Sequence, residues 1–118
     1  VHPTAEVPLE ISVLAARDLL AAHSATGSSP LLLDCRTPEE HATACIVGAV
    51  LIPMQELPAR LAEIEAWRDA PLVVHCHHGM RSLRVAQWLR EQGFPRAQSM
   101  AGGIDAWSET IDPTVPRY

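Results

Sequence analysis

Aromatic residues are scarce in this 118-residue chain, at 4% with one Phe, one Tyr and three Trp, so its core is expected from Leu, Val, Ile and Ala. No apolar run approaches the roughly 18 residues a membrane span needs. No basic and apolar leader opens the chain, and the expected location is cytoplasmic, away from the membrane. Positive charge is also short: nine Lys and Arg stand against fourteen Asp and Glu, a net charge of −5. That balance excludes a nucleic-acid or anionic-membrane partner held by bulk charge, so any bound anion must be held locally. The three cysteines are odd in number and lack framework spacing, which fits thiols in a reducing compartment better than a secreted disulfide scaffold.

What is present is apolar and short-ranged. The hydrophobic fraction is 47%, enough for one packed domain over residues 1–118 without a structural metal. Residues 1–10, with two prolines and no period, read as an N-terminal extension, and residues 112–118 as a Pro-rich tail lying over the surface. Ser12 caps a helix carrying Val13, Leu14, Ala16 and Leu20, and Gly27, Ser28, Ser29 and Pro30 break the chain. Leu31-Leu32-Leu33, ending at Asp34, reads as a strand buried on both faces. Thr37-Pro38-Glu39-Glu40 is a helix start with a capping box. Val50-Leu51-Ile52 and Leu72-Val73-Val74-His75 are further strands, and Gln98 to Met100 a shorter one. Leu57, Leu61 and Ile64 mark one helix, Val85, Ala86 and Leu89 a second that ends at Gly93, and Ile104 and Trp107 a third. Strands alternating with helices predict an α/β domain, a three-layer arrangement with a mainly parallel central sheet and helices on both faces.

In such sheets ligands bind beyond the carboxyl ends of the strands, and Asp34, Cys76 and Gly102 all fall there. The chemistry concentrates in Cys76-His77-His78-Gly79-Met80-Arg81, between a strand and the helix that begins near Ser82. So short a loop can turn its N–H groups inward as a nest for an anion, with Gly79 allowing the curl. A helix terminus contributes only about 0.3 to 2 kcal/mol. Convergent amides or a cation must therefore supply the rest needed to hold a sulfur anion, and Arg81 is the obvious cation, with a fork suited to an oxyanion. A free cysteine is more often a small buried hydrophobe, yet Cys76 stands before a Gly and Arg loop at a strand end, which favours a reactive thiol.

Cys76-His77-His78-Gly79-Met80-Arg81-Ser82 resembles the Cys-x-x-Gly-x-Arg-Ser active-site loop of rhodanese-like domains. Leu32-Leu33-Asp34-Cys35-Arg36 with Glu39-Glu40, Gly48-Ala49 with Ile52-Pro53, and Gly102-Gly103-Ile104 with Ala106-Trp107 are similar to the family's other landmarks, in the same order over nearly the whole chain. The resemblance implies a sulfurtransferase of thiosulfate sulfurtransferase type. Cys76 would take a sulfane sulfur from thiosulfate or a similar donor as a persulfide, and pass it to cyanide or a thiol, a protein thiol included. It also implies substrate contacts from His77, His78, Gly79, Met80, Arg81 and Ser82, a supporting charge network of Asp34, Arg36 and Glu40, and no metal or organic cofactor. A monomer or weak homodimer is expected. Where the family has Gly-His-Ile, this chain has Ala44-Cys45-Ile46.

Cys35 could resolve the persulfide as a disulfide with Cys76, but a buried, inert thiol is the better expectation for it and for Cys45. A metal on His75, Cys76, His77 and His78 is disfavoured, because adjacent strand residues point to opposite faces. His77 and His78 are expected at the loop rim, and Trp67, Trp88 and Trp107 in the core or at its boundary. Two rival functions remain. A phosphatase or arsenate reductase would use Cys-x5-Arg, whereas this spacing is Cys-x4-Arg, one residue short for a phosphoryl group. A non-catalytic binding module would not need Cys76, Gly79 and Arg81 together.

Overall fold

Three consecutive leucines feed two opposite cores. In a strand successive side chains point to opposite faces, so Leu31 and Leu33 pack in one apolar layer and Leu32 in the other. The same parity runs through Leu72, Val74 and Cys76 on the first face and Val73 on the second. The computed structural model describes residues 7–25 and 30–118. The break expected at Gly27, Ser28 and Ser29 lies outside the described residues, as do residues 1–6 of the N-terminal extension.

Five strands form one sheet: β1 (Glu10–Ile11), β2 (Leu31–Asp34), β3 (Val50–Leu51), β4 (Leu72–His75) and β5 (Ala97–Met100). Their order is β1-β5-β4-β2-β3 and every pairing is parallel. The helices are α1 (Val13–Ala25), α2 (Pro38–Thr43), α3 (Leu57–Arg60), α4 (Met80–Glu91) and α5 (Gly103–Thr110), with a 3-10 helix over Leu61–Trp67 after α3. Leu57, Ile64, Val85 and Leu89 cover one face of the sheet, and Val13, Ala16, Ile104 and Trp107 the other. Each fully buried Leu or Val contributes about 1.5–3 kcal/mol. The three-layer α/β expectation therefore holds, with a sheet that is wholly parallel.

Local signals also hold. The Ser12 hydroxyl accepts the Ala15 amide at 3.1 Å, and the Thr37 and Glu40 capping box closes in both directions. Leu14, however, is 47% exposed and does not share the apolar face with Val13 and Ala16. The N-terminal extension was expected to run through residue 10, but Glu10 and Ile11 join the sheet edge as β1. Tertiary bonds select that strand where local pattern could not. Ser99 and Ala101 amides donate to the Leu9 and Ile11 carbonyls at 2.7 and 2.8 Å, and Arg90 and Gln98 hold the Pro8 carbonyl.

Register decides what the sheet presents at its carboxyl edge. Asp34 pairs with His75 across β2 and β4, so Cys35 and Cys76 emerge side by side on the same face.

Candidate active site

The sulfur of Cys76 sits at the start of α4. Gly79, the residue before the helix, has φ +107°, and its N–H donates to Cys76 Sγ at 3.1 Å. The Ser82 N–H donates to the same sulfur at 3.3 Å. Ser82 lies in the first turn, where amides have no partner within the helix, while the next amide, Leu83, already bonds back to the Gly79 carbonyl. Cys76 is thus held by the unspent donors and the positive end of a 12-residue helix. It is only 1% exposed. The Ser82 hydroxyl lies 3.4 Å from the sulfur and 2.7 Å from the buried Ser99 hydroxyl. With Ser99 as donor to Ser82, the Ser82 proton can point at a sulfur anion.

The Gly102-Gly103 pair explains why the loop amides face inward. The Ile104 and Asp105 amides, at the start of α5, donate to the Cys76 and His77 carbonyls at 2.8 and 3.2 Å. With its carbonyls drawn to α5, the loop turns its N–H groups the other way. This approach is so close that a Cβ on Gly103 would collide with both carbonyl oxygens.

The charged residues form one network. Asp34 and Arg36 are fully buried and pair through two bonds of 2.9 and 2.8 Å. Burial opposes the Asp34 charge, but the Arg36 bonds, aided by His75 and His41, hold its carboxyl below the usual range. Arg36 also donates to the Ala44 carbonyl at 2.6 Å and to the Tyr118 hydroxyl at 2.7 Å. That hydroxyl donates to Glu40 at 2.9 Å, and Glu40 takes two bonds from Arg81, at 2.7 and 2.9 Å. Arg81 and Tyr118 together keep the Glu40 carboxyl well below its ordinary range. Asp34, Arg36 and Glu40 therefore meet as expected, and Arg81 belongs to this network, its fork occupied by a carboxylate.

Tyr118, Ser99 and His41, which binds Asp34 at 2.8 Å, did not stand out in the sequence. Polar Gln98-Ser99 inside a buried strand was the available signal for Ser99. Nothing local announces Tyr118, 82 residues from the arginine it binds. The tail expected to lie over the surface buries Val115 and brings Tyr118 to the site, where its ring stacks on His77 at 3.9 Å.

His77 is half-buried and His78 exposed, both at the rim, and Met80 is exposed. The face argument against a metal holds for His75 and Cys76, which point to opposite cores. It does not extend past the strand: His77 and His78 stack on one another, centroids 3.9 Å apart. His75 is buried, and that burial lowers its pKa to about 4. Cys35 is buried as expected, its thiol donating to the His75 carbonyl at 3.5 Å, with its pKa pushed up to about 12 by burial and then by Cys76. Cys45 corrects the expectation of a buried thiol, since it is exposed. Ala44 and Ile46 on either side face the core, and extended backbone turns the residue between them outward. Trp107 is buried, while Trp67 and Trp88 pack at the core boundary.

Fold and site together define an α/β domain that offers a cysteine sulfur to the amides of a helix start, an arrangement that favours negative charge on that sulfur. Residues 16–110 match the Rhodanese-like domain family. The chain belongs to that family of sulfurtransferases. It is 40% identical over 85 residues to a sulfurtransferase of Allochromatium vinosum, covering 72% of this chain and 78% of that protein. It is 33% identical over 94 residues to the thiosulfate sulfurtransferase GlpE of Stutzerimonas stutzeri, covering 80% and 84%. The human single-domain sulfurtransferase TSTD1 superposes with a TM-score of 0.75 at 30% identity, over 88% of this chain and 98% of that one. Against a maize adenylyltransferase and sulfurtransferase, MOCS3-2, the identity is 39% over 97 residues, but the chain spans only 20% of that protein. Among the described residues, no helix is long and apolar enough to cross a membrane.

Proposed function

We propose that this chain is a thiosulfate sulfurtransferase that carries sulfane sulfur on Cys76 and needs no metal or organic cofactor for the transfer. The observation that carries this reading is the convergence of the Gly79 and Ser82 amides on one sulfur, at 3.1 and 3.3 Å. In the first half-reaction the Cys76 thiolate attacks the outer sulfur of thiosulfate. The S–S bond breaks and sulfite leaves with its electron pair. In the second half-reaction cyanide or a thiolate attacks the outer sulfur of the persulfide, and Cys76 departs as thiolate, ready for another turn. Both the thiolate and the anionic persulfide benefit from donors fixed in advance, which cost no reorganisation when charge moves.

The GlpE relative is named a thiosulfate sulfurtransferase, which supports the donor. The acceptor is a small nucleophile or a thiol, including one presented by another protein. The test is mass spectrometry of the intact chain after thiosulfate treatment. One added sulfur on Cys76, removed by cyanide, is expected. An unmodified Cys76 under those conditions defeats the reading, and rapid Cys76-dependent hydrolysis of p-nitrophenyl phosphate would favour a phosphatase.

A further inference from the structure

Beyond the sulfur itself, the loop and α5 bring a second set of donor atoms together. His77 and His78 leave the strand end in succession, and Asp105 lies in the first turn of α5, fixed there by its own amide on the His77 carbonyl at 3.2 Å. One ligand atom from each of the three lies within 4.8 Å of the others. His78 Nε2 stands 4.0 Å from an Asp105 oxygen. The Nε2 of His77 is buried and has no hydrogen-bond partner among the described residues. The His77 ring stacks on the Tyr118 ring, centroids 3.9 Å apart, which keeps it in place when His78, its other stacking neighbour, turns.

We propose that His77, His78 and Asp105 form a binding site for a divalent transition-metal ion at the rim of the sulfur loop. Two imidazoles and one carboxylate suit Zn2+, Ni2+ or Cu2+ rather than Mg2+ or Ca2+, which take oxygen ligands. Ligands about 2.0–2.1 Å from a tetrahedral ion stand about 3.3 Å apart, so the widest pair must close by about 1.5 Å. His78 is 64% exposed on its side chain, free to make that movement by rotation.

One group opposes the ion. Arg117 spans the Asp105 carboxylate with bonds of 2.9 and 3.2 Å, and leans on Glu109 at 3.8 Å. Metal binding must displace this guanidinium, so Arg117 sets the affinity. Because His77 directly follows Cys76, an ion here is held by the same loop that carries the sulfur. If the sulfur-transfer reading is right, occupancy slows transfer.

The experiment is calorimetric titration of Zn2+ into the full chain carrying Cys45→Ser, which removes the exposed thiol. One ion per chain is expected. His78→Ala should weaken binding by at least about tenfold, with an unchanged melting temperature to show an intact fold. Arg117→Gln should tighten it several-fold. The Co2+ form should lack the intense charge-transfer absorption of a thiolate ligand. Zn2+ affinity unmoved by His78→Ala, a strong thiolate band, or Arg117→Gln failing to tighten binding would each overturn the assignment. The titration reads binding directly, so it stands or falls independently of whether Cys76 carries sulfur.

Discussion

Arg81, in the first turn of α4, meets Glu40 of α2 in two parallel bonds, 2.7 and 2.9 Å long. The cation that the sequence offers to an anion is therefore already matched, and any anionic donor must compete with a carboxylate for it. Glu40→Gln should release the fork while keeping the capping box, which accepts Gln as well as Glu. The expected result is a thiosulfate KM about three- to tenfold lower, the scale of one ordinary hydrogen bond gained, because the amide introduced there still accepts from part of the fork. Arg81→Ala should raise KM with a smaller change in kcat. Steady-state kinetics of both variants check this, and a KM that rises in Glu40→Gln would mean the carboxylate positions Arg81 rather than restrains it.

Gly103 and Gly48 both hold positive φ, at +61° and +89°, but only Gly103 faces the backbone of the sulfur loop. Gly103→Ala must push the Cys76 and His77 carbonyls off the α5 amides, and so disturb the inward donors. A loss of at least about a hundredfold in kcat/KM is expected, the scale of losing one preorganised donor. Gly48→Ala meets nothing within 4 Å, so it should cost about 1–2 kcal/mol of backbone strain and leave kcat/KM unchanged. Equal activity in the two variants would refute the role given to α5.

The legible parts of this molecule were those with a local cause. The β2 and β4 strands announced themselves because both faces are buried and every position is apolar until Asp34 or His75. The sulfur loop was legible because its chemistry is contiguous. What escaped depends on distant contacts. The two residues of β1 are selected by bonds to Ser99, Ala101, Arg90 and Gln98, and Tyr118 reaches Arg36 only through the path of the whole fold. Cys45 was misread because alternation within Ala44-Cys45-Ile46 outweighs the general tendency of thiols to be buried. The loop was expected to run through Arg81, but Met80 and Arg81 already belong to the first turn of α4, and the pairing of Arg81 with Glu40 depends on how α2 packs.

Cys45 and Cys35 should separate cleanly with an alkylating reagent. Cys45 is exposed, so it should label first. Cys35 is buried and held protonated, its pKa near 12, so it should stay unlabelled while the fold lasts. It should also form no disulfide with Cys76 during turnover, despite the register that sets them side by side. Peptide mapping after iodoacetamide, with and without denaturant, checks the order. A Cys35 adduct in the native chain, or a Cys35–Cys76 disulfide after thiosulfate and acceptor, would restore a resolving role to Cys35.

His75 ties stability to pH. Its imidazole is sealed beside Asp34, its Nε2 has no hydrogen-bond partner among the described residues, and burial lowers its pKa from 6.5 to about 4. Between those values the unfolded chain binds a proton that the folded chain refuses. The stability owed to neutral His75 is thus complete above about pH 6.5 and declines as the pH falls toward 4. The loss is about 2–3 kcal/mol by pH 4.5, from 1.36 kcal/mol per pKa unit. Glu40 adds a loss of its own only lower, once the pH drops below its unfolded value near 4.5, so the two contributions occupy different windows. Urea midpoints measured from pH 7 to 4.5 should fall steadily in the native chain and far less in His75→Leu, which has no ring to protonate. Parallel slopes in the two proteins would place the acid sensitivity elsewhere.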